Sequence, residues 1–143
     1  MEYRSNEATI NRPEGDRPID APQLFIDIPA IVDQLKDEKA WEKGDRNAIT
    51  VFKGGGLTMV VVALQKKAEI VDKAVEGFVT VQVIKGEVTI TTPEGKIEAE
   101  KKQAIVFRPG VHHSITADSN AILLLSNYST KPEGERNGST GDY

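Results

Sequence analysis

Apolar residues in this chain recur mainly at every second position. In Phe78–Ile84, the valines at 79, 81 and 83 share one face, and Thr80 and Gln82 share the other with Ile84. Side chains alternate along a strand, so the three valines are expected to point into a core. In Val111–Thr116, the residues Val111, His113 and Ile115 share a face. Their apolar company assigns His113 to the interior and His112 to the outside. Strands are likewise predicted over Ala48–Phe52, Leu57–Leu64, Glu87–Thr91, Ile97–Glu100, Ala104–Phe107 and Ala121–Tyr128. The turn signals between them are Gly54-Gly55-Gly56, Lys85-Gly86 and Pro93-Glu94-Gly95. Many short strands with frequent turns predict an all-β sandwich or closed barrel. A single helix is predicted before them: Pro29 in its first turn, Ile31, Val32 and Leu35 near helical spacing, Trp41 closing the stripe and Gly44 as the stop.

The run Ala121–Leu125 reads AILLL and is apolar on both faces, which in a strand means cover on both sides. One side can be the barrel interior. The other calls for the helix, the N-terminal arm or a second subunit, and a two-fold homodimer is the expected assembly.

The ends differ from this pattern. Residues 1–22 carry three arginines, several acids and few large apolar groups, and residues 129–143 have the same character. Both are expected to be polar segments with too little apolar surface to offset their ordering. The globular unit is expected over 23–128. The chain has 143 residues, a net charge of −4 and no cysteine. That length suits one domain with a real core. The charge argues against nucleic acid as a partner. The missing cysteine excludes disulfides and thiolate chemistry. No apolar run approaches the length of a membrane span, and the N-terminus lacks the apolar core of a signal peptide, so a cytoplasmic location is expected. No P-loop or dinucleotide fingerprint occurs, and Gly54-Gly55-Gly56 bridges two strands as a turn.

Residues 67 to 117 carry a resemblance. The stretch KAEIVDKAVEGFVTVQVIKG and, about fifteen residues on, KQAIVFRPGVHHSITA keep the spacing of the two motifs of the cupin superfamily of jelly-roll barrels. The first motif runs Gly, five residues, His-x-His, three or four residues, Glu, six residues, Gly. Anchored on Gly86, it places the glutamate at Val79, the histidines at Lys73 and Val75, and the first glycine at Lys67. The second runs Gly, five residues, Pro-x-Gly, two residues, His, three residues, Asn. Gly110 and His113 match it. Its leading glycine falls at Lys102, its proline at Arg108 (Pro109 is one place late) and its asparagine at Ala117. The resemblance implies a single cupin-like barrel with the helix outside, and dimerisation through an outer sheet face.

Family metal sites use three histidines and a glutamate, and of these only His113 survives. One neutral imidazole does not hold a divalent cation tightly. The expectation is therefore no cofactor. The protein is read as a degenerate, metal-free cupin that binds a small, possibly anionic molecule or serves a regulatory role, with His113, Lys73, Val75, Val79, Val81 and Arg108 as candidate ligand contacts. The alternative is a metal-dependent cupin oxygenase or isomerase in which His113 works with a divalent transition metal and an unconventional ligand such as Asp72. Asp72 lies one place before the ligand position, on the opposite strand face unless a bulge returns it.

Overall fold

The computed structural model describes residues 22–73 and 76–129, without the side chains of Asp72 and Lys73. Among these residues, α1 spans Ile28–Lys36, α2 Lys39–Lys43, β1 Arg46–Gly54, β2 Leu57–Leu64, β3 Glu69–Lys73, β4 Phe78–Lys85, β5 Glu87–Thr92, β6 Gly95–Glu100, β7 Ala104–Phe107, β8 His113–Ala117 and β9 Ala121–Tyr128. They form two antiparallel sheets, a five-stranded one ordered β1-β2-β9-β4-β7 and a four-stranded one ordered β3-β8-β5-β6. The predicted all-β jelly roll is what the chain adopts.

Between the sheets lies one core. Val60, Val62 and Leu64 of β2, Val79, Val81 and Val83 of β4, Val88 and Ile90 of β5, Ile115 of β8, and Leu123 and Leu125 of β9 are all buried there. This is the alternation of the sequence made physical: odd valines of β4 point in, while Gln82 is exposed. A second core lies on the outer face of the larger sheet, where Ile31 and Leu35 of α1 meet Val51, Val61, Ala63 and Ile122. The outward side of the AILLL run is therefore covered by the helix, one of the three covers the run calls for. Burying each of these two helix side chains stabilises the packing by about 2 kcal/mol.

Three features depart from the sequence expectation. The single helix is two. Asp27 Oδ1 accepts from the Ala30 N–H at 3.3 Å and starts α1, but Asp37 caps it and Glu38 is extended before α2 begins. Asn47 Nδ2 secures this break by donating to the Leu35 carbonyl and to Glu38 Oε1, both at 2.9 Å. β3 was not expected, because charges at Glu69, Asp72 and Lys73 mask it. Finally, Lys85-Gly86 does not close a hairpin, since β4 and β5 belong to different sheets. It is a corner where the chain changes sheet. At the opposite edges, Arg46 of β1 reaches across with Nη2 to the Glu69 carbonyl of β3 at 2.7 Å. Its Nε, 3.0 Å from Asp45 Oδ1, holds that exposed carboxyl below its ordinary pKa.

Candidate functional site

The backbone is left-handed at all four positions where the resembled motifs carry glycine. Gly86 and Gly110 have φ of 87° and 83°, and Lys67 and Lys102 have 79° and 78°. No other described non-glycine residue has a positive φ. Each lysine is the third residue of a tight turn, closed by Ala68 N–H to the Gln65 carbonyl and by Gln103 N–H to the Glu100 carbonyl. Such a position favours glycine. Left-handed backbone costs a side-chain-bearing residue about 1–2 kcal/mol, and glycine returns part of that through a freer unfolded chain. Lys67→Gly and Lys102→Gly are each expected to raise stability by about 0.5–1 kcal/mol, read as a higher urea midpoint at unchanged slope.

With the register fixed, the candidate residues can be placed. β8 carries His113 inward at 2% exposure, while His112 is exposed. The His113 Nδ1 lies 3.1 Å from the Val111 carbonyl, which can only accept. A neutral ring bonded this way keeps its proton on Nδ1 and presents Nε2 as an acceptor. The ring stacks on Phe107 of β7, with centroids 4.4 Å apart and planes 8° from parallel. This contact ties the two sheets together at one end of the barrel.

Lys73 pairs with His113 across β3 and β8. The register shifts between Ile70 and Lys73, so β3 contains an irregularity of the kind that can re-aim a side chain. Its effect is to set Lys73, not Asp72, opposite His113. Lys73 thus takes the register position beside His113. Val75 lies outside the described residues. Val79 is buried in the inner row and Val81 is fully buried behind it. Arg108 is exposed in the turn closed by Val111 N–H to its carbonyl.

The same inner row holds residues that the sequence reading missed. Thr58 pairs with Asn127, Asn127 with Val79, and Val79 with Phe107. Directly opposed residues share a face, and strands are about 4.8 Å apart, so this row runs about 14 Å across the inner wall to the His113 stack. Thr58 and Asn127 are each 5% exposed. With His113 and Ser129, they are the buried polar residues of the described chain. Asn127 Nδ2 donates to the Phe78 carbonyl at 3.1 Å, which aims the amide within the barrel. Each strand alone shows a single polar residue at one end, and the register unites them. The inner faces of β2 and β9 read Thr58, Val60, Val62, Leu64 and Ala121, Leu123, Leu125, Asn127, each turning polar at the same end. Lys53 extends this row on β1, paired with Thr58. Glu76, between β3 and β4, brings a buried carboxylate oxygen to this end.

This donor set does not suit a divalent metal. His113 brings one nitrogen, Val79 offers no donor, and Lys73 carries an ammonium group. Among the described residues, no three His, Asp or Glu side chains converge on a point. A cleft at the opposite end, about 520 Å³, is lined by Glu87, Glu98, Glu100 and Asp118. Its carboxylates repel an anion, and Asp118 is tied there by the Thr89 hydroxyl at 2.7 Å.

No family model matches the sequence, and no curated protein does. Solved structures do match. A conserved protein of unknown function from Streptococcus pyogenes superposes with a TM-score of 0.59 at 20% identity, over 93% of this chain and 97% of that one. A cupin-2 domain protein from Shewanella frigidimarina gives 0.59 at 13% identity, over 73% and 94%. Salicylate 1,2-dioxygenase from Pseudoaminobacter salicylatoxidans, solved as adducts with gentisate, gives 0.64 at 17% identity, over 80% of this chain and 37% of the enzyme. Such identities establish a shared fold. No described helix is long and apolar enough to cross a membrane.

Proposed function

We propose that this cupin-fold barrel holds a small anionic molecule at its polar end without the help of a metal. One observation carries the reading: the inner wall is apolar except at that end, where Thr58 and Asn127 are buried in one cross-strand row that ends on the buried His113–Phe107 stack. Buried polar side chains cost stability unless they are bonded, and an apolar wall with a few polar anchors is the usual form of a small-molecule site. Lys53 and Lys73 stand at register positions on the two strands that flank this end. A cation at the position of a lost metal ligand can hold a carboxylate or phosphate oxygen. In this reading Val79 and Phe107 wall the ligand, His113 and Asn127 orient it, and the two lysines offset both its charge and that of the Glu76 carboxylate at the same end.

The test is to purify the protein without chelator, measure bound metals, and screen small carboxylates and phosphates by thermal unfolding. The expected metal content is far below one per chain. A ligand present at a hundred times its Kd should stabilise the fold by about 2.7 kcal/mol, a rise in Tm of roughly 10 °C. If close to one Fe, Mn, Ni, Cu or Zn per chain is found and disappears in His113→Ala, the anion reading fails. The protein would then belong with metal-dependent oxygenases or isomerases, the chemistry that the dioxygenase match would suggest.

A further inference from the structure

A small cleft lies where the two helices meet the far end of the larger sheet. Leu64 at the end of β2 and Ile122 at the start of β9 are buried beneath it. Lys36 of α1, Trp41 of α2, Lys85 at the end of β4 and Asn120 just before β9 form its walls. Its volume is about 100 Å³. Thr58 and Leu64 stand at opposite ends of β2, so the cleft lies about 20 Å from the polar end of the barrel. It therefore stands independently of the ligand reading.

The wall side chains are alike in their chemistry. Among the described residues, none of those lining the cleft is acidic. An ammonium group and an indole N–H can only donate. Lys36 Nζ is held over the Trp41 ring, 5.9 Å from its centroid. Asn120 Oδ1 accepts the Lys66 N–H at 2.8 Å, which leaves Nδ2 as the donor of that amide. Glu38, the acid between the two helices, is engaged elsewhere by Gln34 and Asn47. Neither lysine is paired with a carboxylate of the described residues, in a chain with 22 acids. Side chains that only donate complement a group that only accepts.

We propose that this cleft binds a phosphate-sized oxyanion, free or as the terminal group of a small molecule. Size supports that class. At about 30 Å³ per water, the space equals that of three waters, which suits one phosphate group and excludes a nucleotide. Charge-assisted bonds from two ammonium groups and an amide suit its oxygens. Bound there, the anion bridges α1 to the end of β4 and joins helix to sheet. Two factors limit its strength. The lysines are exposed, so salt screens them. Glu87 and Asp118 of the acidic cleft stand two residues from Lys85 and Asn120. The expected Kd is on the order of 1 mM.

Trp41 is the only tryptophan of the chain, so its emission reports on this cleft. Titrating the full chain with inorganic phosphate at constant ionic strength should shift that emission saturably. The Asn120 side-chain amide signal should move in NMR spectra with the same midpoint. Lys85→Gln should weaken binding about tenfold at unchanged Tm, because that side chain is exposed, and Lys85→Arg should retain it. Lys96→Gln removes an exposed lysine from β6 and should leave binding as it was. Tighter binding of glycerol phosphate would identify a terminal phosphate group as the natural ligand, and equal binding the free ion. No saturable change in either signal below about 20 mM phosphate overturns the proposal. So does equal weakening by Lys85→Gln and Lys96→Gln, which would reduce the effect to net charge. A titration that moves the Asn127 amide and leaves Asn120 still also overturns it, by placing the anion at the other end of the barrel.

Discussion

Gly86→Ala is expected to lower the stability of this protein by about 2–5 kcal/mol. Two costs add. The residue sits at φ 87°, where a side chain costs about 1–2 kcal/mol. A Cβ there would also run into the Asn120 carbonyl and the Ala121 Cα and Cβ. Most of those atoms are backbone at the start of β9, a fully paired strand, and cannot swing aside. Overpacking of this kind costs about 1–3 kcal/mol further. The corner is also coupled: Asn120 Oδ1 accepts the Lys66 N–H at 2.8 Å, so displacing it disturbs the turn that holds Lys67. Gly110→Ala is the control. It has φ 83° but nothing within 4 Å of its Cβ, so it should lose only the strain, about 1–2 kcal/mol. Chemical denaturation of both variants reads the difference. A loss below about 1 kcal/mol for Gly86→Ala would mean that the β4–β5 corner is not tight.

That corner also shows why the fold was more legible than the site. Gly86 is the one residue of the first motif to keep its identity, and it does so where both conformation and space demand it. Lys67 and Lys102 share only the conformation: each strains a turn that stays open to solvent, so a side chain is tolerated there. The inward valines of β4, the His112/His113 split and the double-sided AILLL run follow from period-2 alternation, which is read directly from apolar identity. β3 escaped because its charged residues obscure that pattern and its bulge breaks the period. Thr58 and Asn127 escaped for a different reason. Nothing in one strand marks a single polar residue at its end, and only the register of β2 against β9 and β4 brings them into one row.

His113 is where structural and binding roles are most easily confused, and two substitutions separate them. His113→Ala removes a ring that is 2% exposed and stacked on Phe107. Losing that volume and the stack is expected to cost about 2–4 kcal/mol of stability. Reduced ligand affinity in this variant would therefore prove little by itself. His113→Phe restores an aromatic ring of similar thickness against Phe107 and forfeits the hydrogen bond to the Val111 carbonyl, worth about 1 kcal/mol. It should fold within about 1.5 kcal/mol of the parent protein. It has no ring nitrogen, so any ligand oriented by His113 should bind it about 5- to 100-fold more weakly, the equivalent of about 1–3 kcal/mol. The measurement is titration of the stabilising anion into the parent and both variants, with unfolding midpoints recorded beside it. If His113→Phe is stable and binds as tightly as the parent, His113 is a packing residue that ties β8 to β7, and the anchor role falls to Asn127 and the flanking lysines. If it is stable and binds weakly, the imidazole itself is the recognition group.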